Sequence, residues 1–176
     1  MSHARPIGSM PAEWKDINVS IASIGTGAGN NPDIITLPGT SIEVGAFSPS
    51  SVEQVSDVRE MQHDYEEGTD VELHLHWLTT SANAGDVVWG VEYIIGDNNA
   101  VLPAAVTGSA TMSAAGATNY LAVENILIIP GAGITIGDQL FFRLFRDATN
   151  GADTYPDDAA AATFAIHYRV NSLGSR

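Results

Sequence analysis

From Val71 to Trp77 the sequence alternates without a break: Val71, Leu73, Leu75 and Trp77 are apolar, and Glu72, His74 and His76 stand between them. A period of two puts the first set on one face of an extended strand and the second set on the other. The pattern recurs at Ile17, Val19 and Ile21, at Val87, Trp89, Val91 and Tyr93, at Leu140, Phe142 and Leu144, and at Phe164, Ile166, Tyr168 and Val170. A chain that repeats this period buries its apolar residues by laying one sheet on another, not by packing helices.

Between the runs lie turn formers, such as "GTGAGNNPD", Pro38-Gly39, "SANAGD", "GDNNA", Pro130-Gly131 and Asn150-Gly151. With 17 Gly and 8 Pro in 176 residues, the composition is that of short strands joined by many turns. "IITL" and "SIEVGAF" read as strands, and "AAVTGSATMSAAGATN" as a lightly packed edge strand with its loop. "YLAVENILII" reads as an apolar strand beginning at Leu121 and Val123. Residues 52–62 fit two descriptions: Val52, Val55 and Val58 recur every three residues, as in a helical turn, while "REMQH" continues as a strand. Residues 70–95 are expected to form an antiparallel pair packed through Trp77 and Trp89.

Eight to ten strands with no βαβ alternation predict an all-β fold, an antiparallel two-sheet β-sandwich of the jelly-roll type. Residues 1–13, with Pro6, Gly8 and Pro11, read as an extended N-terminal arm, and residues 14–176 as one sandwich domain.

Charge narrows the partners. Twenty-one acidic residues against seven basic ones give a net charge of −14, which excludes a basic footprint for direct nucleic-acid binding and opposes docking on an anionic membrane. The absence of Cys removes thiolate chemistry and Cys-ligated zinc. The N-terminus shows no apolar stretch of a secretion signal, and no run approaches the roughly 20 residues that span a bilayer, so synthesis in a cytoplasm is expected.

The residues offer several chemical readings. Gly68 followed by His74-x-His76 fits the opening of a cupin metal motif, because alternate strand residues point the same way and imidazoles bind zinc, iron or manganese. The motif then requires a Glu where Thr80 and Ser81 stand, and its second half has no counterpart. His74 and His76 are therefore weak metal candidates, no cofactor is assigned, and a polar strand face lining a subunit contact is the stronger reading. No Ser lies in a G-x-S-x-G elbow, and the adjacent acids Asp157-Asp158 and Glu66-Glu67 read as solvated turns, so no catalytic residue is assigned. Asn30 replaces the third glycine of a dinucleotide loop in "GTGAGN", which leaves a turn. Arg143 and Asp147 share one strand face, and His167 and Arg169 share another; on paired strands they would form a cross-strand charge ladder. A carbohydrate-binding role would rest on exposed aromatics such as Tyr155.

Five blocks, "HDYEEGTDVELHLHW", "VVWGVEYIIG", "GDQLFFRLFRD", "DTYPDDA" and "IHYRVNSLGSR", occur in this order over residues 61–176. Together with Trp14-x-Asp16 they resemble a family of proteins encoded among the structural genes of tailed bacteriophages and prophages. The resemblance implies a virion structural protein and not an enzyme. It is similar to jelly-roll capsid decoration, or cement, proteins, homotrimers that bind the major capsid protein on the capsid exterior after synthesis in the bacterial host cytoplasm. A head-fibre or tail component is the alternative, and a cupin-like metal-dependent enzyme the alternative of another class. The expected subunit interface comprises Glu72, His74, His76, Arg143, His167 and Arg169. The arm is expected to contact the capsid or a neighbour through Arg5, Pro6, Ile7 and Trp14.

Overall fold

The computed structural model describes residues 13–21 and 30–171. Its strands are β1 (Glu13–Ser20), β2 (Asp33–Thr36), β3 (Glu43–Phe47), β4 (Glu53–Glu60), β5 (Val71–Thr79), β6 (Ala84–Gly96), β7 (Val106–Ala115), β8 (Leu121–Ile129), β9 (Gln139–Arg146) and β10 (Ala159–Val170). Pairing is antiparallel throughout. One sheet runs β2-β3-β10-β5-β8, with β1 beside β3 on the same edge of β10; the other runs β4-β9-β6-β7.

The order is that of a jelly roll. Strand β3 pairs with β10, β4 with β9, β5 with β8 and β6 with β7, so one long folded-back ribbon is rolled until β10 meets β5 and β9 meets β6. The expected fold class is thus the observed one: all-β, two antiparallel sheets, face to face.

The core lies between the sheets and is built from the alternating residues. Leu73, Leu75 and Trp77 of β5, Phe164 and Ile166 of β10, Val87, Trp89 and Val91 of β6, and Leu140 and Leu144 of β9 have no solvent exposure. Aromatic rings lock the two layers: Trp77 and Trp89 lie 6.3 Å apart between ring centroids, Phe47 meets Trp89 edge-on at 5.0 Å, and Phe142 lies 4.7 Å from Phe164. Each such side chain contributes about 1.5–3 kcal/mol by leaving water. Among the described residues, these side chains fill the space between the two sheets.

Three expectations change, and one open reading is decided. Strands β5 and β6 do not pair; residues 80–83 carry the chain from one sheet to the other, and the two tryptophans meet across the core. Alternation fixes which side chains point inward but not which strand lies alongside. Residues 53–60 are a strand, not a helical turn, because pairing with β9 supplies the backbone bonds; Val55 is buried, whereas Val58 is exposed. Strands β9 and β10 lie in different sheets, so Arg143 and Asp147 form no ladder with His167 and Arg169. Tyr155 is buried, its hydroxyl accepting the backbone N–H groups of Thr80 and Ser81 at 3.1 and 3.0 Å, and it offers no surface to a sugar. It pins the crossing between the sheets instead.

Residues 106–115 form the exposed edge strand that the small side chains predict. The arm residues Arg5, Pro6 and Ile7 lie outside the described residues, and Trp14 belongs to β1.

Candidate functional site

The six-stranded sheet turns one face inward and the other outward, and the outward face of its β1, β10, β5 and β8 strands gathers most of the singled-out residues. Register builds it in rows. Asp16 pairs with His167, and His167 with Glu72, which in turn faces Ile128. The next row runs Asn18, Ala165, His74 and Asn125; the one after it brings Thr163 between Ser20 and His76, with Val123 beyond. At the end of the face Trp14 stands opposite Arg169.

Side-chain contacts tie the rows together. The Trp14 ring stacks on His167 with centroids 4.5 Å apart and planes 2° from parallel. His167 Nδ1 lies 2.6 Å from Asp16 Oδ1, and the His74 ring lies 5.6 Å from His167 and 5.3 Å from His76. Burial pushes the His74 imidazole below its ordinary pKa; Asp16 opposes this, His76 and His167 add to it, and Glu72 opposes it again. Glu72 accepts a bond from Asn125 Nδ2 at 3.3 Å, and Arg169 pairs with Glu66 at 3.1 Å.

Beside these polar groups the face is apolar. Leu121, Val123 and Ile128 of β8 are 58%, 56% and 54% exposed, and Trp14 is 43% exposed. Further along the same sheet, Val44, Ala46 and Ala160 form a small second core under Ile35, Leu37 and Leu78, so the chain covers that part of the surface itself. The β8 strip has no such cover among the described residues.

Of the six expected interface residues, Glu72, His74, His76, His167 and Arg169 share this face. Arg143 does not. It lies on the outer surface of the opposite sheet, held by Glu92 at 2.8 Å and Gln54 at 2.6 Å, with its guanidinium 4.5 Å over the Phe145 ring. The cupin geometry also fails, because His74 and His76 point away from the interior that such a metal would occupy.

Sequence reading missed Asp16, Asn18, Val123 and Ile128 as members of the face. The alternation in "WKDINV" already puts Trp14, Asp16 and Asn18 on one side; the missing information was that β1 lies against β10.

Among the described residues, no helix is long and apolar enough to cross a membrane. No family model matches the chain, and no curated protein matches it in sequence. Its backbone is similar to an arabinose-bound α-L-arabinofuranosidase, with 14% identity over 89% of this chain and 23% of that one at a TM-score of 0.44. It is similar also to a mutant VP2 protein of infectious bursal disease virus in derived T=1 particles, with 12% identity over 92% of this chain and 32% of that one at a TM-score of 0.43. The Gx strain of the same virus gives 10% identity, 98% and 42% coverage, and a TM-score of 0.41. The chain thus spans less than half the length of each of these structures.

Proposed function

We propose that this protein is a structural component of a bacteriophage virion, a decoration or cement protein that assembles as a homotrimer on the capsid exterior and binds the major capsid protein. The observation that carries the reading is the outward face of β1, β10, β5 and β8. Leu121, Val123, Ile128 and Trp14 expose apolar area there beside Glu72, His74, His76, His167 and Arg169. A mixed face of this kind on an otherwise strongly acidic chain suits a subunit contact, with pairable groups on the central strands β10 and β5 and exposed apolar side chains on the flanking β8 and β1. In a threefold ring each protomer offers one such face to a different surface of the next.

The segment ahead of β1, with Arg5, Pro6 and Ile7, is assigned to the capsid or to a neighbouring subunit, because Trp14 brings the chain onto this face. A net charge of −14 keeps free subunits apart and disfavours DNA, as suits the outside of a shell. Five ordered blocks resembling phage structural proteins point the same way, with no enzymatic step assigned.

The test is titration of shells lacking the protein, together with native mass spectrometry of the free chain. Saturable binding to intact shells by a trimer supports decoration. Saturable binding to fibres or tails in place of shells moves the protein to that part of the virion, and a monomer that binds none of them ends the virion reading.

A further inference from the structure

We propose that Asp16, His74 and His167 form a surface site for a divalent transition cation of the zinc class, clasping β1 to the middle of the six-stranded sheet. The three side chains come from three strands that are adjacent in the sheet, β1, β5 and β10, and one ligand atom from each lies within 4.8 Å of the others. Two imidazoles and one carboxylate are a donor set that suits zinc, cobalt, nickel or iron and is too nitrogen-rich for magnesium or calcium. This is a different site from the His74-x-His76 pair read in the sequence, and it does not depend on the proposed virion role.

The sheet prepares the position. Ala165 is the residue between Asn18 and His74, so no side chain of β10 fills the space over which His74 leans towards His167. Trp14 stacks on the His167 ring and fixes its plane. Glu72 lies in the row of His167, where its carboxylate can orient a ligand or a bound water.

Geometry asks for small adjustments. Ligand atoms bound at about 2.0–2.1 Å in a tetrahedron are about 3.3 Å apart. The 2.6 Å contact between His167 Nδ1 and Asp16 Oδ1 therefore opens as the cation replaces the proton shared there, and the wider spacings close from at most 4.8 Å. Asp16 is exposed, and rotation of its side chain supplies most of the change. Three protein ligands leave at least one coordination position for water.

The experiment is titration of the untagged full chain, stripped with chelator, with Co(II) and then with Zn(II) as competitor, followed by the visible absorption of bound cobalt and by native mass. One cobalt per chain is expected, displaced by one zinc. Asp16→Asn, His74→Ala and His167→Ala should each weaken it by more than about tenfold, a first-layer loss at least as large as those of outer-layer residues. His76→Ala and His63→Ala should leave it unchanged. Circular dichroism of each variant separates a lost site from a lost fold, and Asp16→Asn, which keeps the side-chain shape, is the decisive variant. No bound-cobalt spectrum in the parent protein, or equal binding by the parent and Asp16→Asn, overturns the proposal.

Discussion

Arg146 and Asp153 form an ion pair with essentially no solvent contact: Nη2 lies 2.7 Å from Oδ1, and Nε lies 3.0 Å from Oδ2. The remaining guanidinium N–H groups donate to the carbonyl oxygens of Phe47, Asp157 and Tyr155 at 3.0, 2.8 and 2.7 Å, so all five donors are used. Asp153 Oδ2 also accepts the Val88 N–H at 2.9 Å. The pair thus ties together the end of β3, β6 at Val88 and the loop between β9 and β10.

Removing either partner leaves the other charged and buried, which costs about 3–5 kcal/mol. Arg146→Met should lower the unfolding free energy measured in urea by at least that amount, because it also strands three carbonyl groups. Asp153→Asn should cost a comparable amount. The double variant should recover only part of the loss, since the neutral pair still leaves the carbonyls without donors. Full recovery would show that the ion pair alone, and not the loop it organises, carries the effect.

Arg146 also shows where sequence reading stops. Its place in the alternation after Leu140, Phe142 and Leu144 points it inward, but a charged residue at a strand end is ordinarily solvated, and its partner is seven positions away in a turn-rich loop. The strand faces were legible because period-two patterning is a local signal: Trp77, Trp89 and Phe164 all point where the pattern puts them. Strand neighbours were not, because pairing is set by long-range closure of the roll. That is why the pattern suggests one surface for Arg143 and His167, which lie on two, and gives no sign of Asp16 beside His167.

Gly90 and Phe145 are paired residues on β6 and β9, and the Phe145 ring covers Gly90 on the outer surface of the four-stranded sheet. A Cβ at position 90 would overlap that ring, driving it into solvent and away from the Arg143 guanidinium stacked on it. Overpacking costs about 1–3 kcal/mol, against about 0.5–1 kcal/mol gained when Ala replaces Gly in a strand. Gly90→Ala should therefore destabilise the parent protein by roughly 1 kcal/mol. The sign should reverse in a Phe145→Ala background, where the space is free. Urea unfolding of the four proteins checks this, and a Gly90→Ala effect that ignores residue 145 would refute the role given to the ring.

Tyr168 donates its hydroxyl to Asp64 Oδ1 at 3.0 Å, and Lys15 pairs with the other oxygen of the same carboxylate. Burial first, and then the bond to Asp64, push the phenol from 10.0 up to about 12. A folded-state pKa above the unfolded one means stability that is complete below the unfolded value and is lost as pH rises through the folded value. Stability should therefore fall between pH 10 and about 12 as the unfolded chain ionises first. Tyr168→Phe should cost about 1 kcal/mol at neutral pH through the lost hydrogen bond and should flatten the alkaline slope. Parallel alkaline slopes in the two proteins would remove Tyr168 as the cause.

The β8 strip gives the sharpest separation of assembly from folding. Val123 and Ile128 point outward and are more than half exposed, so replacing either with Lys disturbs no core packing and should change unfolding free energy by no more than about 0.5 kcal/mol. Each would nevertheless bring a strongly hydrated charge into the proposed subunit contact, where burying it without a partner is costly. Val123→Lys and Ile128→Lys should dissociate the proposed oligomer under conditions in which the parent assembles, while circular dichroism and urea midpoint stay unchanged. His76→Ala, in the same row as Val123, should weaken the assembly less, because it removes a partner without introducing a charge. The measurement is sedimentation velocity over a concentration series. Oligomers that survive all three substitutions would place the contact elsewhere, with the opposite sheet around Arg143 the next surface to mutate.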